Sequence, residues 1–277
     1  MHRIIIQTAI LLTLLLSTTV TFAQDSTEYH PYFTRDFELG AGAFFMDKSL
    51  ELRVDGSDPG DNIEFDEVAR LDNDDVSGAL SFRWRFGEKW GFWAQGWKIS
   101  ESGGAVLTEN VEWEDVEFRE GTFAEAGFDL GVVRLFLGRK FFERPNQEFG
   151  VGIGAHWMEF DAFMEGQILT SIGDTEFYRG TVEADFPLPN LGAWYAWSWS
   201  PKWLFSARLD WLDVSLGDYS GGLWNSQAGV QWQAFDHLAI GLFYSGFLLD
   251  ADVKKSDWRG KVESDQHGPL LSIYTSW

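Results

Sequence analysis

The chain of 277 residues contains no cysteine, which excludes disulfides, thiol catalysis and cysteine-ligated metal sites. Basic residues are scarce: 21 Lys and Arg stand against 43 Asp and Glu, a net charge of −22. That balance excludes sequence-independent nucleic-acid binding, which depends on cations neutralising phosphates. Beyond residue 24 there is no run of 18 uncharged apolar residues, so no transmembrane helix follows. The chain is nevertheless 45% hydrophobic and only 23% charged, with 15 Trp, 24 Phe and 7 Tyr. A composition so rich in apolar groups excludes disorder as the state of the whole chain.

Residues 1–23 read as a cleaved signal peptide. His2 and Arg3 precede an apolar run from Ile4 to Leu16, and the segment ends in the small-residue site Thr21-Phe22-Ala23. The apolar run is short and is interrupted by Gln7, Thr8 and Thr13, whereas a spanning helix needs about 20 predominantly apolar residues. Residues 24–35 are then a periplasmic N-terminal segment, and 36–277 form the folded body.

Along that body apolar residues recur at every second position. Trp203, Phe205, Ala207, Leu209 and Trp211 alternate with Leu204, Ser206, Arg208 and Asp210. Leu80, Phe82, Trp84 and Phe86 alternate with Ala79, Ser81, Arg83 and Arg85, and Ala228, Val230, Trp232 and Ala234 with Gln227, Gly229, Gln231 and Gln233. Period two means strands with one oily face. Two features identify the solvent of that face as lipid. The segments are long, and a membrane-crossing strand needs about 9–11 residues where ordinary strands average about five or six. Aromatics also sit at segment ends beside short turns, as Trp90, Trp199, Trp203 and Trp277 do, and with Trp211, eight residues along the same face from Trp203, they form the girdles expected at membrane interfaces.

Ten strands are expected, with 8 or 12 as alternatives, near 36–53, 75–86, 90–101, 122–138, 147–160, 189–200, 203–216, 221–234, 238–251 and 266–277. Short links at 87–89, 139–146, 201–202 and 235–237 alternate with long ones at 54–74, 102–121, 161–188 and 252–265; the link at 217–220 is the exception. The fold class is therefore all-β: a transmembrane antiparallel up-and-down barrel with periplasmic termini and acidic extracellular loops. Closure follows from hydrocarbon itself, where an open sheet edge leaves backbone groups unpaired. Alternating Val111, Trp113, Val116 and Phe118 in one long link suggest hairpins beyond the membrane.

With its signal, even strand count, aromatic girdles and final strand of Leu271, Ile273, Thr275 and Trp277, the chain resembles the small outer-membrane β-barrel proteins of Gram-negative bacteria over its whole mature length. In that family a last strand ending in an aromatic is read by the barrel-assembly machinery, so the resemblance implies that partner along with outer-membrane lipid and lipopolysaccharide. It implies architecture and location, and no activity.

Alternation turns Glu38, Arg83, Arg85, Asp129, His156, Arg208, Asp210, Gln227, Gln231 and Tyr274 inward as a barrel-interior polar network. If Asp129 faces inward, Arg134 should face outward, unless a bulge near Gly131 intervenes or Arg134 lies at the rim. Nine acids lie between Asp55 and Asp75 against Arg70 alone. Asp55, Asp58 and Asp61 are a weak candidate for divalent cations, because their spacing departs from a calcium loop. A solvated acidic surface is the alternative. Asp265 and His267, two apart, are a weak candidate catalytic pair, with His156 beside them as a further histidine. No cofactor is expected. Three roles stand open: a non-enzymatic barrel with an envelope-structural, surface-interaction or small-ligand role; an outer-membrane hydrolase or lipid A modifying enzyme with a rim site; and a narrow channel for small solutes.

Overall fold

The computed structural model describes residues 29–55, 62–64, 74–169, 175–216, 219–254 and 259–277. The expected signal peptide, and Asp58 and Asp61 of the candidate cation loop, lie outside the described residues. Among the described residues there are thirteen strands: β1 (Phe37–Val54), β2 (Asn62–Glu64), β3 (Asp74–Phe86), β4 (Trp90–Val106), β5 (Val111–Trp113), β6 (Val116–Phe118), β7 (Phe123–Arg144), β8 (Gln147–Leu169), β9 (Thr175–Ser200), β10 (Trp203–Leu216), β11 (Tyr219–Phe235), β12 (Leu238–Lys254) and β13 (Arg259–Ser276). Ten of them form one antiparallel ring in chain order, β1, β3, β4 and β7 to β13, and β13 pairs back onto β1 from Glu38↔Ser276 to Val54↔Gly260. β2 continues the sheet beside the far end of β1, and β5 with β6 makes a separate hairpin.

One end of the barrel is tight and holds both ends of the described chain. Its links are the few residues between β3 and β4, β7 and β8, β9 and β10, and β11 and β12. Gly87 takes a left-handed φ of 58° in the first of these turns, which glycine tolerates without a Cβ clash. At the other end the strands run further than their apolar stripes require. β8 continues to Leu169 and β9 begins at Thr175, so most of the link expected at 161–188 is ladder, paired from Phe160↔Ala184 to Leu169↔Thr175. The Val111–Phe118 hairpin expected from alternation is present.

The strands keep one phase while the chemistry on their two faces exchanges partway up. On β8, Phe149, Val151, Ile153 and Trp157 face outward and Glu148 and His156 inward; beyond Trp157, Met158, Phe160, Ala162 and Met164 turn inward, fully or nearly fully buried, while Glu159 is exposed. β12 repeats this, with Ile240, Leu242, Tyr244 and Leu248 outward before Asp250, and Phe247, Leu249 and Ala251 inward. The barrel thus has two storeys. In the storey nearest the termini the outer wall is apolar and the bore polar. In the distal storey the bore is apolar and the outer wall acidic.

The outer apolar band reaches from Trp203 to Trp211 on β10 and from Trp232 to Trp224 on β11. Eight residues at ~3.3 Å and a tilt near ~40° rise about 20 Å. Aromatic rings mark both margins. Trp199 and Trp203 stack with centroids 6.0 Å apart and Phe37 stacks on Trp277 at 5.7 Å near the tight turns, while Trp211 and Trp224 meet at 6.3 Å on the far margin. An exposed apolar belt around the whole circumference far exceeds the patches that water tolerates on a monomer.

Candidate functional site

The bore is occupied at successive levels. At the tight end the segment before β1 folds back into the mouth: Pro31–Phe33 form one 3₁₀ turn, capped by His30, whose Nδ1 accepts from the Tyr32 amide at 3.2 Å. Tyr32 is buried against Ala196 and Leu204. Its carbonyl accepts from Arg83 Nη1 at 2.7 Å and from Arg85, and the Arg83 guanidinium lies 4.0 Å from its ring centroid. The N-terminal segment, expected simply to precede the barrel, is here a plug. His30 is wholly buried, and burial, with Arg83 and Arg35 nearby, lowers its pKa to about 4.

Above the plug lies a layer of ion pairs. Arg85 donates to Glu148 at 2.8 Å, and Glu148 also accepts from Trp194 Nε1 at 3.0 Å. Arg134 grips Asp210 with two nitrogens, Nη2–Oδ1 at 2.9 Å, and Arg208 reaches the same carboxylate at 3.4 Å while donating to Gln227 at 2.9 Å and to Gln95. His156 is fully buried, with Nδ1 3.2 Å from Asn190 Oδ1 and Nε2 2.8 Å from Asn225 Nδ2. Those two amides fix the ring: Nδ1 donates and Nε2 accepts.

Glu38, Arg83, Arg85, His156, Arg208, Asp210, Gln227, Gln231 and Tyr274 all sit on the inner face, Gln231 donating to Glu38 at 3.3 Å. Asp129 does not. It lies on the outer wall, 3.5 Å from Lys98 and opposite Ser100 and Asp161 on the flanking strands. β7 runs from Ala124 through Phe128, Leu130, Val132 and Arg134 with every even residue buried and no bulge near Gly131. Period two then puts Arg134 inside and Asp129 outside. Arg134, Glu148, Asn190 and Asn225 are inner residues absent from the expected network; alternation puts Glu148 in phase with His156 and Asn225 with Gln227, whereas Asp129 as the inward point turned Arg134 the wrong way.

Higher still, the bore is a hydrophobic core containing Leu52, Ile99, Leu130, Phe160, Met164, Phe247 and Val262. The β5–β6 hairpin closes it, burying Trp113 and Phe118 completely. The hairpin is pinned to β1 through the Glu114 amide on the Val54 carbonyl at 3.3 Å, with Glu114 in the left-handed region at φ 53°. Gly180 on β9 leaves the space that the Trp113 indole fills.

The weak catalytic candidates are not brought together. His156 is inside the bore, whereas His267 is on the outer wall, its Nδ1 3.2 Å from the Tyr244 hydroxyl and its ring stacked on that of Tyr244. Asp265 shares the outer face of β13 with His267, but one of its carboxylate oxygens is buried without a hydrogen-bond partner. Of the cation candidates, Asp55 is engaged by Arg53 at 2.8 Å. Among the described residues no group of three His, Asp or Glu is placed to hold a metal ion.

No family model matches the chain, and no curated protein matches it in sequence. Solved structures do match its shape. The outer membrane protease OmpT from Escherichia coli superposes with a TM-score of 0.58 at 10% identity, over 87% of this chain and 97% of that one. The toluene transporter TodX of Pseudomonas putida gives 0.35 at 9% identity, covering 87% and 90%, and the attachment invasion locus protein Ail of Yersinia pestis 0.27 at 13%, covering 86% and 98%. At such identities the likeness is one of fold. With a closed ten-stranded ring, an apolar outer belt and paired aromatic margins, the chain is built as a transmembrane β-barrel of the outer-membrane type.

Proposed function

We propose that the chain is a non-conducting, non-enzymatic barrel of the bacterial outer membrane, exported by its signal peptide, with both termini in the periplasm. In this reading it serves as a rigid stalk that raises an acidic surface above the membrane for interaction with the outside. The observation that carries the proposal is the occupied bore: among the described residues plug, ion-pair layer, apolar core and hairpin follow one another along it. On β8, twelve residues of ladder lie beyond Trp157, a projection of roughly 30 Å at the ~3.3 Å rise and ~40° tilt of barrel strands. A soluble-type core inside that extension supplies the stiffness that two-stranded ribbons lack in water.

Three partners fit the same reading: outer-membrane lipid and lipopolysaccharide around the apolar belt, the barrel-assembly machinery at β13, and divalent cations at the acidic loops. The hydrolase alternative is disfavoured by the separation of His156 from His267 across the wall, and the channel alternative by the core. Single-channel recording of the refolded protein in planar bilayers is the test. A silent membrane is expected across ±150 mV, and stable ohmic steps would overturn the proposal.

A further inference from the structure

Between the plug and the Arg134–Asp210 layer the bore holds a cavity of about 110 Å³. For comparison, an engineered apolar cavity of about 150 Å³ admits benzene. Its lining divides in two. Arg83, Arg208, Gln95 and Gln227 supply polar groups, while Trp93, Phe243 and Tyr274 supply broad faces.

Acceptors around this cavity are unevenly shared. Four guanidiniums, of Arg83, Arg85, Arg134 and Arg208, meet three buried carboxylates, of Glu38, Glu148 and Asp210, and the more exposed Glu143, 3.9 Å from Arg85. Glu148 is taken by Arg85, and Asp210 is shared by two arginines. Arg83 has only Glu38, at 3.7 Å, beyond hydrogen-bond distance. Its side chain is 97% buried by the 3% exposure it retains, and its Nε and Nη2 have no hydrogen-bond partner. A buried guanidinium with unsatisfied donors is costly unless something supplies the missing acceptor.

We propose that this chamber binds a small aliphatic monocarboxylate, its carboxylate on the free edge of Arg83 and its short apolar body against Trp93, Phe243 and Tyr274. A planar carboxylate matches the fork of a guanidinium. The two oxygens of one carboxylate match the two unsatisfied donors of Arg83, Nε and Nη2. The aromatic walls reward an apolar body that an inorganic anion lacks. Tyr32 forms part of the floor, so the plug separates the site from the tight end of the bore, and the ligand enters during folding or when the plug lifts.

The test refolds the full chain into detergent micelles with ¹³C-labelled propionate present, which removes the plug as a kinetic barrier, and measures uptake by equilibrium dialysis. The proposal expects saturation near one propionate per barrel and at least tenfold weaker binding of neutral propionamide. It also expects at least a tenfold loss in Arg83→Met, with binding retained in Arg139→Met, whose charge lies over Trp90 on the outer wall. Absence of saturable uptake, equal binding of propionamide, tighter binding of inorganic phosphate, or an unaffected Arg83→Met would each overturn it. If Arg83→Met fails the heat-dependent gel shift of folded barrels, the propionate-to-propionamide ratio in the unmodified chain decides the matter.

Discussion

At the scale of single residues, the most consequential atom group is the Asp210 carboxylate. It is fully buried and accepts from Arg134 and Arg208, with His156 Nε2 at 3.9 Å. A buried ion pair adds little over well-packed apolar groups, yet removing one partner strands the other charge in a dry site. Here the loss of one carboxylate strands two guanidiniums. Asp210→Ala is therefore expected to destabilise the barrel by about 3–5 kcal/mol, read as a lower urea midpoint for the protein folded in lipid vesicles. Asp129→Ala, on the outer wall beside the exposed Lys98, should move that midpoint by less than ~1 kcal/mol. Equal effects of the two changes would refute the inward and outward assignments. The contrast also explains what could be read from sequence at this scale. Alternation ranks a strand's residues into two faces, but it needs one fixed point to say which face is inner. On β7 the sequence reading chose Asp129 as that point. The packed even positions Phe128, Leu130 and Val132 are apolar, and the expectation of a wholly polar bore hid them.

Among elements, the N-terminal plug is the one poised to move. It is held by a single 3₁₀ turn, the Tyr32 ring, the buried His30 cap and the Arg83 and Arg85 bonds to the Tyr32 carbonyl, and a segment this short opens at lower free-energy cost than the ladders around it. His30 has its pKa lowered from 6.5 to about 4, first by burial and then by Arg83 and Arg35. The sign follows from linkage: the undocked segment binds the proton more readily than the docked one between those values. Docking is therefore fully stabilised above about pH 6.5 and loses up to ~3 kcal/mol as the pH falls toward 4. Hydrogen exchange of the amides of residues 29–36 should be slow at pH 7.5 and faster at pH 4.5, after correction for intrinsic rates, while β10 and β11 stay protected. Unchanged protection of the plug at the lower pH would contradict the role given to His30. The β5–β6 hairpin is an element of the opposite kind. It was visible as alternating Val111, Trp113, Val116 and Phe118, but its burial was not, because nothing local shows that Gly180, far along the chain, leaves room for the Trp113 indole.

On the scale of the whole molecule, the exchange of faces governs both solubility and shape. Membrane-level β8 carries its apolar set at odd positions through Trp157, and the distal part carries it at even positions from Met158. That hop is written in the sequence. It escapes a reading that assigns one apolar face per strand and treats the acidic stretches as loops, which is why the ring, its strand order and its belt were legible while the second storey was not. The physical cause is a change of solvent at constant register: hydrocarbon outside demands apolar outward groups, and water outside demands a core within. The account therefore stands on the identity of the medium that touches the belt. Among the described residues ten tryptophans, including Trp90, Trp157, Trp203, Trp211 and Trp232, are exposed on the outer wall, and Trp97, Trp113 and Trp194 are buried inside. Tryptophan emission of the folded protein in vesicles of dibrominated phosphatidylcholine measures that medium directly. The two-storey barrel predicts that bromine quenches more than half of the emission; emission equal to that in unbrominated vesicles would contradict it.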